Sequence, residues 1–312
     1  MRIERMEIFP VTMALRTPIP MSNGIIERTG NVLVKVVSDG VTGWGEGVEA
    51  PSLTHQSQRE IIADLESLSS TVVGSDPMRR NDVWARLTTL RPAATTAIGA
   101  IDIALHDLAG KALGVPVHQL LGGAVRDQVP GLTLVGSGDA SADADKLAER
   151  YEQGFRWFKI KLGMASAAVE LGTLAKAAEL VGDDGVVCGD ANEAWAEDQA
   201  RSFLGRLDGA RIRFIEQPVP RSDRDALLRL ADSSPVELCA DESAGSLTAV
   251  IGFVGTTIGG VSLKLIKHGG ITGVMRGAAI CSAGGLGINL AGKVIESSIS
   301  AAANLHCAAA FE

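Results

Sequence analysis

From Pro130 onward the chain repeats one pattern: a short apolar run, then a stretch of helical periodicity. The runs are Leu132 to Val135, Trp157 to Lys161, Val186 to Asp190, Ile212 to Glu216, Val236 to Asp241, Val261 to Lys264, Gly287 to Leu290 and Val294 to Glu296. Strands alternating with helices specify parallel pairing through crossover connections, and eight such strands predict a closed parallel barrel. Six of the runs end in an ionisable residue: Lys161, Asp190, Glu216, Asp241, Lys264 and Glu296. The first five follow one another at intervals of 29, 26, 25 and 23 residues, each about one strand plus one helix. In a parallel barrel the C-terminal strand ends share one mouth, where barrel enzymes keep their chemistry. The six charges are therefore expected to converge.

The N-terminal part follows a different pattern. Ile3, Met6 and Ile8, then Val32, Val34 and Val36, alternate with polar residues; Asp39-Gly40 and Gly43-Trp44-Gly45-Glu46 follow. This predicts an antiparallel meander closed by an Asp-Gly hairpin. Two segments are expected to be loops: the polar, proline-containing stretch Thr17 to Thr29, and Glu49 to His55. Between Ala93 and Leu113, the residues Ile98, Ile101, Leu105, Leu108 and Ala112 recur at helical spacing, and Gly114 and Pro116 end the helix. Residues 1 to about 125 thus form an α+β unit, and 36 glycines with only 4% aromatics suit an α/β chain with a core of small aliphatic side chains.

The formal charge of -8 opposes a phosphate backbone or an anionic membrane, so neither nucleic acid nor membrane is an expected partner. Cys188, Cys239, Cys281 and Cys307 show no CxxC spacing and lie in apolar stretches, as reduced core thiols do. No long apolar segment occurs, and the expected location is the cytoplasm.

Asp190, Glu216 and Asp241 end three successive strands. One such acid alone is commonly a helix cap or a solvated loop residue. Three together in a partly buried site repel one another, and a divalent cation removes that cost. Oxygen ligands without nearby Cys or His favour a hard ion, Mg²⁺ or Mn²⁺, one per subunit. Lys161 precedes this arc and Lys264 follows it, so two bases would flank whatever the ion holds. Such a pair can remove and return a proton at the α-carbon of a bound carboxylate, by way of an enediolate. Lys159, two residues before Lys161 on the same side of the strand, is placed to depress the Lys161 pKa and is the third catalytic candidate. Lys267 is expected to be structural, in a loop with His268.

Lys159-Ile-Lys161, Asp190-Ala-Asn192-Glu-Ala-Trp195, Ile215-Glu216-Gln217-Pro218, Ala240-Asp241-Glu242-Ser243 and Lys264-Leu-Ile-Lys267-His-Gly269-Gly270 occur in that order. Together they resemble the enolase superfamily in its muconate lactonizing enzyme subgroup, from Gly43-Trp44-Gly45-Glu46 through Ala104-Leu105-His106-Asp107 to Glu296-Ser297-Ser298. The resemblance implies a modified TIM (β/α) barrel over residues 126–312 under an N-terminal α+β capping domain over residues 1–125. It places the metal on Asp190, Glu216 and Asp241, and the acid/base roles on Lys161 and Lys264. It puts Glu296 near the substrate carboxylate, makes Asn192 a support for metal and substrate, and builds the substrate lid from two N-terminal loops that contain Ser22, Asn23 and Thr54. The chain stops soon after the last helix, so the barrel is expected to lack the family's C-terminal return to the cap.

The expected activity is isomerisation of a small carboxylate. Lysines on both faces suit a racemase or epimerase of an amino-acid derivative or dipeptide, whereas Thr133-Leu-Val-Gly-Ser137-Gly-Asp139 looks more like the muconate cycloisomerases. Dehydration of a hydroxy acid, a Schiff-base barrel lyase and a non-catalytic metal- and acid-binding barrel are the alternatives. Exposed apolar helix faces make a homo-oligomer the expected assembly.

Overall fold

The computed structural model describes residues 1–21, 24–293 and 295–311. Strands β1 (Arg5–Met21), β2 (Gly24–Ser38) and β3 (Val41–Val48) form an antiparallel sheet in that order. The Asp-Gly hairpin is present: Asp39 (φ 49°) and Gly40 (φ 77°) both take left-handed backbone, as a type I′ turn requires. The described residues of the stretch from 17 to 29 are strand, not loop. They are the far end of a long hairpin arm, in which Ile19, Pro20 and Met21 pair with Ile26, Ile25 and Gly24 beyond a bulge after Ala14. The prolines that argued for a loop lie on β1, an edge strand whose backbone has no ladder partner on one side, and this position tolerates them.

The expected helix runs from Thr95 to Leu113 and ends on left-handed Gly114. Its apolar face is wider than the spacing indicated, because Ala97, Gly99, Ala100, Ile103 and Ala104 are buried as well. The helix lies directly on β3. A Cβ on Gly43 would sit 2.1 Å from the Ala104 carbonyl oxygen, and one on Gly45 would sit 1.9 Å from that of Ala100. One flank packs into a core with Val32, Val34, Val36, Ile61 and Leu65, while Ile103 joins the separate core of the C-terminal half. Asp102 reaches across as well: its carboxylate accepts from Thr272 N at 2.8 Å and Thr272 Oγ1 at 2.6 Å, and so caps the helix Ile271–Gly284.

The C-terminal half is a curled, all-parallel sheet in sequence order: β4 (Leu132–Val135), β5 (Trp157–Lys161), β6 (Val186–Asp190), β7 (Phe214–Glu216), β8 (Glu237–Ala240), β9 (Gly260–Leu263) and β10 (Gly287–Leu290). Helices cover its outer face, as in a modified TIM barrel. The eighth predicted strand, Val294 to Glu296, is not formed among its described residues. Ile295 has φ 89° and Glu296 N bonds back to Lys293 O at 3.2 Å, so the segment turns into the closing helix Ser298–Ala310. That helix is capped from the other half of the chain by buried Glu46, which accepts from Ser297 N, Ser297 Oγ and Ser300 N. All four cysteines are free and buried, and no described helix is long and apolar enough to cross a membrane.

The contact of β3 with the long helix yields a stability prediction. Gly45→Ala should cost about 1–3 kcal/mol through overpacking against a backbone carbonyl. Its urea midpoint should fall well below that of wild type; an unchanged midpoint would show that strand and helix separate at no cost.

Candidate active site

Strand register brings the predicted charges together. Lys161 pairs with Asp190 across β5 and β6, and Asp190 with Glu216 across β6 and β7. Asp241 and Lys264 follow β8 and β9 by one residue. Asp190, Glu216 and Asp241 are only 4%, 1% and 0% exposed. Each carboxylate takes ammonium as its counter-charge: Lys161 Nζ lies 2.7 Å from Asp190 Oδ2, Lys159 Nζ bonds Glu216 Oε2, and Lys264 Nζ lies 2.6 Å from Asp241 Oδ2. Asp241 has a second partner in Lys267, 2.7 Å from Oδ1.

Two expectations change here. Lys159, expected beside Lys161 to depress its pKa, has its ammonium held by Glu216; burial alone would lower the Lys159 pKa, and the Glu216 charge instead holds it well above the usual lysine range. Lys267 is not in a loop. It sits on the short helix Leu265–His268, where its buried Nζ donates to Asp241 O, Asp241 Oδ1 and Ser262 O. Its place three residues after Lys264, one helical turn on, was the available signal. Also missed were Ser262 and Asn289, which complete the Glu216 site: Ser262 Oγ donates to Glu216 Oε1 at 2.6 Å, and Asn289 Nδ2 lies 3.3 Å from Oε2. Ser262 precedes Lys264 by two residues, as Lys159 precedes Lys161, and this inward period marks both strands.

Asn192 joins the site through its Oδ1, which accepts from Lys161 Nζ, and through Nδ2, which lies 3.2 Å from Glu242 Oε1. Buried Gln217 braces the next loops: its Oε1 accepts from Asp241 N and Ser243 N, both at 3.0 Å. Asn192 (φ 44°), Glu193 (φ 66°) and Gln217 (φ 37°) all hold left-handed backbone, a cluster of strain at the strand ends. Glu193 pairs with Arg221, and Arg221 Nη2 donates to Ser52 O at 3.0 Å, so the segment containing Thr54 is tied to the sheet's loops. Thr54 itself ends a short helix, and its hydroxyl bonds Ala50 O and Thr96 Oγ1 rather than the acids. Glu296 lies in the turn after β10, not at a strand end, with Oε1 on Lys293 N and Oε2 on Asn304 Nδ2. Ser22 and Asn23 lie outside the described residues.

The electrostatics follow from burial and neighbours. Burial raises the Glu216 pKa, and Asp190 and Asp241 add to the rise against Lys159. Burial works to raise Asp241 too, but Lys264 and Lys267 hold it well below the carboxylate range. Glu242 is pushed up to about 7 by burial and by Asp241 and Asp190, and its Oε2 has no hydrogen-bond partner among the described residues. Among the described residues no three acid, His or Cys side chains converge at metal-ligating distance. The donor chemistry nevertheless fits a hard cation: three buried carboxylates at adjacent strand ends, a fourth acid with an orphaned oxygen, and, among the described residues, no thiol bonded to any of the four. Cys188 Sγ faces the Phe158 carbonyl oxygen instead.

Residues 3–122 match the model of the mandelate racemase / muconate lactonizing enzyme N-terminal domain, and residues 142–312 that of the enolase C-terminal domain-like fold. The chain belongs to the mandelate racemase/muconate lactonizing enzyme family. A chloromuconate cycloisomerase from Pseudomonas putida is 34% identical over 98% of this chain and 84% of its own length. An N-succinyl-L-Arg/Lys racemase from Bacillus cereus is 28% identical over 99% of this chain and 84% of its own. The crystal structure of a dipeptide epimerase from Enterococcus faecalis, complexed with Mg and the dipeptide L-Leu-L-Tyr, superposes with a TM-score of 0.93 at 27% identity, covering 100% of this chain and 88% of that one. These family relatives are isomerases.

Glu296 supplies a pH prediction. Burial, with Glu46 nearby, raises its pKa from 4.5 to about 7. A raised carboxyl binds its proton more tightly in the folded state, so its stabilising contribution is present below about 4.5 and is lost as pH rises through about 7. Glu296→Gln should flatten the fall in denaturation midpoint between pH 4.5 and 7.5. A slope identical to wild type would contradict the assignment.

Proposed function

We propose that this isomerase moves the α-proton of a small carboxylate substrate, with Lys161 and Lys264 as the two proton carriers. The observation that carries the proposal is their placement at opposite ends of the carboxylate arc, Lys161 on Asp190 and Lys264 on Asp241, with Glu216 between them. A substrate carboxylate held over this arc would present one face of its α-carbon to each lysine. Asp190, Glu216 and Asp241 are the residues to hold Mg²⁺ or Mn²⁺, which when bound supplies positive charge beside the substrate carboxylate as the α-proton leaves.

The chain's own groups do the rest. Asn192 aims Lys161 while its Nδ2 is fixed on Glu242. Lys267 keeps Asp241 countered when Lys264 turns to the substrate. Lys159 stays on Glu216, outside the proton path. Cycloisomerisation needs one lysine to deliver or withdraw the proton, and the greater similarity to the cycloisomerase favours it. Racemisation or epimerisation needs both, and their two-sided placement favours it as the second reading. The two separate cores support a cap over residues 1–125 and a barrel over 126–312.

The test is incubation with Mg²⁺ in D₂O of a panel containing cis,cis-muconate, N-acyl amino acids and dipeptides. Wild type should incorporate α-deuterium or convert muconate, and Lys161→Ala and Lys264→Ala should each lower the rate by about 10²–10⁴. No deuterium in any acid, with muconate unchanged, would refute the proposal. Mg²⁺ should also raise the thermal midpoint in proportion to the logarithm of its concentration above Kd, and Asp190→Asn should abolish that shift.

A further inference from the structure

A cleft that has no part in that scheme lies where the N-terminal half meets the helix Ile271–Gly284. Its volume of about 600 Å³ is that of a small-molecule site, and it shares no residue with the carboxylate arc. Three arginines line it: Arg79 and Arg80 from one half of the chain, and Arg276 from the other. Among the described residues none of the three has an ion pair or a side-chain hydrogen bond. Arg80 is half-buried, and that burial lowers its pKa even with the Asp102 charge nearby. Arg276 stacks on Trp84, 4.4 Å from the ring centre, and Trp84 Nε1 is fixed on Gly269 O at 2.7 Å. Such a stack holds the guanidinium plane in place and leaves the donors on its edge for a ligand. The acids within reach do not match these charges: Asp82 pairs with Arg86 at 3.5 Å, and the Asp102 carboxylate is engaged by Thr272 N and Oγ1.

Two further groups suit an anion. The helix Arg80–Leu90 begins at this cleft with no side-chain cap, and among the described residues the N–H groups of Arg80 and Asn81 have no acceptor. His106 also lines the cleft, yet it is only 4% exposed. Its Nδ1 donates to Asp102 O at 2.8 Å, so Nε2 is the ring atom left for the cleft, and it has no partner among the described residues. A phosphate O–H can donate to that nitrogen, and a phosphate oxygen can accept from it once it is protonated.

We propose that this cleft binds a phosphate monoester, at a second ligand site apart from the carboxylate arc. The phosphate group fits because guanidinium edges and free backbone N–H groups pair with its several oxygens, while its own proton answers His106. The wall beside them is apolar, made by Leu120, Leu121 and Met275, and takes the organic part of the ester. A ligand seated there joins Arg79 and Arg80 of the N-terminal half to Arg276 of the C-terminal half.

Calorimetry with phenyl phosphate in the presence of Mg²⁺ tests the site. Wild type should bind phenyl phosphate about fivefold or more tightly than inorganic phosphate, the value of partly burying the ring. Arg80→Gln and Arg276→Gln should each weaken phenyl phosphate by about tenfold or more, the value of one charge-assisted contact. Arg276→Lys, which keeps the charge but loses the fork and the stack, should fall between wild type and Arg276→Gln. Asp190→Asn, which alters the carboxylate arc and leaves the cleft intact, should bind phenyl phosphate as wild type does. No binding to wild type, equal affinity for phenyl and inorganic phosphate, or unchanged binding in both arginine variants would overturn the assignment. Binding lost in Asp190→Asn would overturn it too, by placing the phosphate at the carboxylate arc. Should a variant at Arg80 or Arg276 fail to fold, exposed Arg79→Gln carries the same expectation.

Discussion

Buried charge governs this molecule. Taking a carboxylate or an ammonium out of water costs several kcal/mol unless a partner of opposite sign stands beside it. The ends of β5 to β9 carry more such groups than ordinary packing would tolerate, and the local architecture consists of their counter-charges. Lys159 sits a layer below Lys161 because Glu216 needs it there. Ser262 and Asn289 face inward because the remaining lone pairs of Glu216 need donors. Asp241, with two ammonium groups, is the most heavily compensated acid of the set.

The two halves of the chain are joined by the same kind of bond. Asp102 on the long helix caps Ile271–Gly284, Glu46 on β3 caps the closing helix, and Arg221 reaches from the loop after β7 to backbone carbonyls at Ser52 and Leu53. In the first two contacts a carboxylate from one half meets the free N–H groups of a helix in the other, where the helix dipole strengthens the interaction. The strand ends that bear the charges and the segments that overhang them are therefore held in fixed relation by a few directional bonds.

Much of this was legible in the sequence. The seven strands and the residues at their ends could be read because a parallel strand is a short apolar run, and because a charged residue ending such a run has few places to go except the mouth. The eighth run departs for the same reason: Val294, Ile295 and Glu296 have the composition of a strand end, but the turn at Ile295 to Ser297 is held by Asn31 and Glu46, more than 240 residues away in sequence. Lys267 reads as a structural loop residue beside His268, and only the fold shows it on a helix, buried against Asp241. The segment around Thr54 points it at substrate, whereas its hydroxyl is satisfied by Ala50 and Thr96. Loops take their roles from what they touch, and that is the least local information in a chain.

The long arm of β1 and β2 has a consequence of another kind. A 17-residue edge strand offers a row of unpaired backbone groups that could template a strand from a second molecule. Pro10, Pro18 and Pro20 each remove a backbone donor from this strand, and the bulge after Ala14 breaks its register. Prolines and a bulge on an edge strand are the usual devices against edge-to-edge pairing, so two of the residues that give the segment the look of a loop, Pro18 and Pro20, also blunt the arm's edge.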